Sequence, residues 1–187
     1  MKENEIVEKE ELPKSWKREV WEYIKMFVTV AVIVFVLTRF IIINAVVPSE
    51  SMENTIMTGE HFFGGRFSYW FSDPKRFDIV VFKYPDDESQ LFIKRVIGLP
   101  GETVTILDGK VYIDGKESPL DDSFIKEPML GSFGTYRVPE DSYFMLGDNR
   151  NHSKDSRYWT NTFVSKKQIV GKAIISYWPL SEIGFMK

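Results

Sequence analysis

The sequence predicts a mainly β domain of curled antiparallel sheets behind a single N-terminal transmembrane helix. One segment, Ile24 to Ile43, is apolar for the length of a bilayer. After it, apolar and β-branched runs of strand length recur between Gly, Pro and Asp turn signals to the end of the chain. No repeat or low-complexity block breaks that pattern, and 187 residues hold one modest domain plus an anchor.

Residues 1–23 are charged and lack apolar periodicity, which reads as a solvated tail. The span follows at 24–43 and, at 1.5 Å per residue, covers the roughly 30 Å hydrocarbon core. Met26 to Thr38 carries no charge, and Arg39 near the far end is long enough to snorkel to the interface. A buried soluble helix and a cleaved signal peptide are the alternatives. The long polar stretch ahead of the span and the poor cleavage site at Ile43-Asn44-Ala45-Val46-Val47 argue against cleavage. Lys14, Lys17 and Arg18 precede the span and Lys25 stands at its very start, against Arg39 near its end. The positive-inside rule therefore puts the N-terminus in the cytoplasm and residues 44–187 on the outer side of the cell membrane.

In that exported part Asp78 to Tyr84 reads as a strand, closed by Pro85 and the acidic turn Asp86-Asp87-Glu88. Leu91 to Ile97 is a second, ended by Gly98-Leu99-Pro100-Gly101. Thr103 to Leu107 and Lys110 to Ile113 flank Asp108-Gly109, a two-residue hairpin signal. Tyr143 to Leu146 and Lys172 to Trp178 complete the clear strands. The Pro- and Gly-rich stretch at about 108–140 reads as an irregular insertion.

Composition excludes several chemistries. The chain has no Cys and only His61 and His152, so a disulfide framework, a Cys/His zinc cluster and CxxC redox chemistry are ruled out. The net charge of −3 is spread along the chain and gives no nucleic-acid footprint. Aromatics make up 15% of residues, and Phe62, Phe63, Phe67, Tyr69, Trp70 and Phe71 crowd one region. Part of this crowd suits a β core and part a patch lying on membrane lipid.

Pro48-Ser49-Glu50-Ser51-Met52 sits just beyond the span, with Lys94-Arg95 and Gly147-Asp148-Asn149-Arg150 downstream. An unactivated serine is a poor nucleophile and needs a base. A Ser51-His152-Asp148 arrangement is one option, but neither histidine stands in a recognisable triad context. Lys94 is the other. On a strand it shares a face with Phe92 and Val96, and desolvation by such neighbours lowers a lysine pKa. A shift from about 10.4 to 8 needs roughly 3 kcal/mol, within reach of a buried amine. A strand lysine taken by itself is more often an exposed one; here the order of the strings and the nearby span point to a membrane-tethered Ser/Lys protease.

Those strings, with Asp78-Ile79-Val80-Val81-Phe82, Lys94 to Gly101 and Gly147 to Arg157, resemble the motif boxes of bacterial type I signal peptidases in their single-anchor form. The resemblance implies the fold of the signal peptidase and self-cleaving repressor type, and a set of roles. Ser51 would be the nucleophile and Lys94 the general base. The Ser51 backbone N–H and the Ser49 hydroxyl would form the oxyanion hole. Ser153 would hydrogen-bond and orient Lys94, and Met52 would pack beneath the nucleophile. Asp148, Asp155, Arg95 and Arg157 would form an ion-pair network holding the last box against the lysine strand. No metal or organic cofactor is needed. Two departures stand out: Asn54 where the family commonly has proline, which would loosen the turn after Ser51, and Phe77 where glycine is usual.

Ser51 lies eight residues beyond Ile43, at most about 27 Å from the end of the span, so its substrate's scissile bond must lie near the outer membrane surface. Signal peptides of secreted preproteins have that property, and the resemblance implies cleavage after small residues, Ala-x-Ala. A self-cleaving repressor would need a DNA-binding module, for which residues 1–23 are too short. An inactive membrane-anchored binding scaffold is the reading from another class, against which the presence of both Ser51 and Lys94 stands.

Overall fold

The structure, a computed structural model, describes residues 16–186. Residues 1–15 of the expected tail, Lys14 among them, lie outside the described residues. From Trp16 onward the tail is helical: α1 runs Trp16–Val36 and continues as a π-helical turn, Leu37–Ile41. By length and composition the stretch Trp16–Ile41 is able to cross a membrane, and its apolar window is wholly exposed. The helix starts ahead of residue 24 because the charged residues there are good helix formers, with Glu22 and Lys25 paired at 2.8 Å one turn apart. It stops short of residue 43 because Ile42 and Ile43 enter a strand, where Ile43 is buried.

The chain divides into two compact units between Arg39 and Phe40. The second is antiparallel β. Its strands are β1 (Ile42–Val46), β2 (His61–Gly65), β3 (Ile79–Tyr84), β4 (Asp87–Gly98), β5 (Thr103–Leu107), β6 (Lys110–Ile113), β7 (Gly134–Arg137), β8 (Ser142–Leu146), β9 (Val164–Ser165), β10 (Ile169–Trp178) and β11 (Gly184–Phe185). The large sheet runs β1-β2-β10-β3-β4-β8-β9, with β11 on β10, and a small sheet runs β6-β5-β7. All six strands legible in the sequence are present. β6 and β7 lie inside the expected irregular insertion and pair with β5, Thr103 opposite Arg137 in β7, so its longest stretch without strand structure is 114–133.

Strand β3 shows why the large sheet is stable. Ile79 and Val81 point into one apolar cluster with Ile43, Met52, Phe62 and Ile93, while Val80, Phe82 and Tyr84 point into another with Val96, Met145 and Trp159. Both faces are covered, which is why β3 reads as an unbroken apolar run rather than an alternating one. A third cluster joins Ile97, Phe144 and Leu146 to Val104, Ile106 and Val111 of the small sheet. Gly98 lets the sheets close up: a Cβ there would fall 2.5 Å from Val104 Cγ2. These clusters fix β4, an interior strand between β3 and β8, as the rigid support of the site below.

Candidate active site

Strand β1 ends at Val46, and Pro48, without a backbone N–H, cannot continue a ladder. The chain turns into a single 3-10 turn, Glu50–Met52, closed by Glu53 N–H donating to Glu50 O at 3.0 Å. Met52 is fully buried in the cluster around Ile43, and this pins the turn so that Ser51 faces β4. Lys94 lies opposite Val80 in the register of β3 and β4. Its Nζ is 2.6 Å from Ser51 Oγ and 3.0 Å from Ile93 O, and 5.5 Å from the centre of the Phe92 ring. Ser51 is 5% exposed and Lys94 3%. Burial pushes the amine down from 10.5 to about 8, partly opposed by the carboxylates of Asp155 and Asp148. The Ser49 hydroxyl sits 3.2 Å from Ser51 Oγ on the open side.

The four charged residues expected around the lysine form two buried pairs. Arg95 grips Asp148 with two bonds, 2.8 Å from Nε and 2.6 Å from Nη2, and donates to Phe77 O at 2.9 Å. Arg157 grips Asp155 likewise, at 2.8 Å from both Nε and Nη2. Asp155 also accepts Gly147 N–H at 3.0 Å, and Arg157 donates to Arg150 O at 2.6 Å, so the pairs meet through one stretch of backbone. Gly147 is required there, because a Cβ would run into Ser153 and the Ser51 carbonyl.

Ser153 departs from expectation. Among the described residues its buried hydroxyl finds no hydrogen-bond partner, Lys94 included. The amine is turned toward Ser51 and the Ile93 carbonyl, while Ser153 packs on Gly147. The histidine arrangement is not assembled either. Exposed His152 lies 3.7 Å from Glu50, His61 lies beside Tyr177, and Asp148 is committed to Arg95.

Several supporting residues were missed in sequence. Thr55 donates to Asp148 at 2.5 Å. Asn149 bonds Glu50 O through its side chain and Ser51 O through its backbone, at 3.1 and 3.2 Å. Arg150, fully buried, pairs with Asp122. Asn149 and Arg150 stood inside a recognised string, whereas Asp122 has no local signal. Both departures from the family pattern sit at positive φ: Asn54 at 89° and Phe77 at 72°. Proline cannot take that φ, so Asn54 does not loosen the turn; it tolerates the left-handed backbone and donates to Phe124 O at 2.6 Å. Phe77 bears a strain of about 1–3 kcal/mol that glycine would not, and its ring packs edge-on to Phe124 at 5.5 Å.

The aromatic crowd splits. Phe62 is core, Phe63 stacks on Tyr177 at 4.3 Å, and Tyr69 donates to Asp78 at 2.9 Å, its ionisation suppressed by burial. Tyr69 therefore does not belong to an outward patch. Phe67 and Trp70 are exposed and Phe71 is 98% exposed.

An apolar helix of membrane-spanning length and a β domain holding a buried serine against a buried lysine are the features of a membrane-anchored serine peptidase. Comparison with known proteins agrees: the family described as signal peptidase, peptidase S26, matches residues 20–178, and the chain belongs to it. A probable signal peptidase I-2 of Synechocystis sp. is 36% identical over all of this chain and 86% of its own length. A signal peptidase I of Leptolyngbya laminosa is 40% identical over 74% of this chain and 70% of its own. Signal peptidase I P of Bacillus subtilis subsp. natto is 33% identical over 93% and 97%. A crystal structure of a signal peptidase I from Enterococcus faecalis V583, 37% identical, aligns with 54% of this chain and 97% of that one at a TM-score of 0.47. The chain is thus a signal peptidase, a hydrolase that processes the signal peptides of exported preproteins.

Proposed function

We propose that the enzyme cleaves signal peptides after small residues, Ala-x-Ala, with Ser51 as nucleophile and Lys94 as general base. The contact of 2.6 Å between a buried amine and a buried hydroxyl carries this reading. With its pKa near 8, the amine is neutral often enough near pH 7 to take the serine proton as Oγ attacks the scissile carbonyl. The Ser51 N–H and Ser49 hydroxyl receive the oxyanion as charge develops. Lys94 then protonates the leaving amine, and the mature protein departs. The same amine activates the water that hydrolyses the acyl-enzyme, and no metal or organic cofactor takes part. Arg95, Asp148, Arg157 and Asp155 hold β4 and the turn of Ser51 in register, and Ser153 packs beside Gly147.

The helix anchors the chain with its N-terminus in the cytoplasm and the β domain outside. Phe67, Trp70 and Phe71 follow Gly65, which pairs with Ile42 where the chain enters the sheet. Their exposed rings dip into the lipid interface, where amphipathic aromatics are favoured. Incubation of the purified chain with an Ala-x-Ala preprotein tests the chemistry: Ser51→Ala abolishes cleavage, and a Ser51→Ala protein that still cleaves excludes this serine.

A further inference from the structure

The loop between β6 and β7 looks like an idle insertion, yet it grips the ion pairs beside Ser51 and Lys94 repeatedly. Asp122 takes both terminal nitrogens of Arg150 at 2.9 and 2.8 Å. The Phe124 ring covers the Arg95 guanidinium, 4.2 Å from carbon to ring centre. Asn151 bonds the loop backbone at Pro128 O and Leu130 N, at 3.1 and 2.9 Å, and buried Met129 meets Arg157 through its sulfur at 3.1 Å. Asn54 and Phe77, the two positions that depart from the family pattern, both touch Phe124, one through its carbonyl and one through its ring. A loop that merely joins two strands needs none of these contacts.

We propose that residues 122–130 form a strap that positions the Ser51–Lys94 pair by clamping Arg95 and Arg157, with Phe124 as its principal positioning residue. The proposal rests on the Ser51–Lys94 reading above. The route is short: Arg95 follows Lys94 on β4 and holds Asp148, and the next residue, Asn149, bonds the Ser51 carbonyl from its backbone N–H. A flat aromatic face suits the guanidinium, both by its π electrons and by excluding water. If Arg95 moves, Asp148 moves with it, and the nucleophile shifts relative to the amine.

Steady-state cleavage of an Ala-x-Ala preprotein by the full chain in detergent, with melting curves, tests the strap. Phe124→Ala is expected to lower kcat about 10–100-fold, the scale of a misplacement near 1 Å, with KM changed less than about threefold. Phe124→Tyr keeps the ring and restores most of kcat; Phe124→Leu fills the space without a π face and restores little. Asn54→Gly retains the positive φ, loses only the bond to Phe124, and lowers kcat severalfold. Wild-type kcat in Phe124→Leu and Asn54→Gly, or an equal loss in Phe124→Tyr and Phe124→Ala, overturns the strap, and these variants decide the matter should Phe124→Ala not fold. Full cleavage by a Lys94→Ala control sinks the Ser/Lys reading itself, a distinct failure.

Discussion

Replacing Lys94 with methionine tests the base and its cost together. Methionine keeps the apolar stem and removes the amine. A buried amine displaced from 10.5 to about 8 holds a charge the folded protein disfavours by about 3 kcal/mol at neutral pH. The folded pKa lies below the unfolded one, so between pH 8 and 10.5 the unfolded chain binds more protons and stability rises with pH. Below pH 8 the full penalty applies. Lys94→Met is therefore expected to be more stable than wild type at pH 6–7, by up to about 3 kcal/mol before packing losses, with the advantage shrinking toward pH 10. It should also be inactive. In wild type about 1% of the amine is neutral at pH 6, about 10% at pH 7 and most of it at pH 9, so log kcat/KM should climb with unit slope and level off above pH 8. Lys94→Arg should be as inactive as methionine, because guanidinium does not give up its proton near neutrality. The assays are preprotein cleavage from pH 6 to 10 and melting over the same range. Full activity in a Lys94 variant, or a rate that rises through about pH 6.5 and is lost with His152→Ala, refutes the reasoning.

Other expectations follow from burial. Arg95→Met strands the Asp148 carboxylate in the core and should cost about 3–5 kcal/mol in urea or thermal melts, whereas Arg95→Met with Asp148→Leu should recover much of that. By contrast Lys83→Ala, which removes the exposed pair with Glu88, should cost under about 1 kcal/mol. A soluble fragment beginning at residue 40 should be more stable than one beginning at 44, because the shorter one loses buried Ile43, worth about 2 kcal/mol, and the pairs of Ile42 and Ile43 with β2. In the longer fragment, joint replacement of Phe67, Trp70 and Phe71 by serine should weaken binding to lipid vesicles while soluble-peptide turnover holds; unchanged vesicle binding with collapsed turnover assigns them to the substrate groove instead.

What could be read without coordinates is local. The apolar run after Ile24, the strands around Val80 and Val96, and the hairpin at Asp108-Gly109 are written in periodicity and turn chemistry, which act between neighbours in the chain. Ser51 and Lys94 were legible because each stands in a short string of distinctive residue types. Other features were invisible because they depend on which surfaces meet. Ile42 and Ile43 look like the end of a membrane helix until β2 offers a partner strand and a core to fill. Pro- and Gly-rich sequence hid β7, whose four residues are strand only because β5 lies alongside. Nothing near Asp122 or Phe124 announces a guanidinium, since Arg150 and Arg95 are 28 and 29 residues away along the chain. The lysine is the sharpest case. Its identity and strand were plain, but its approach to a serine 43 residues earlier, and its pKa near 8, exist only once β3, β8 and the turn of Ser51 close over β4 and remove the water. Desolvation is set by everything packed around a group, and no stretch of chain encodes that by itself.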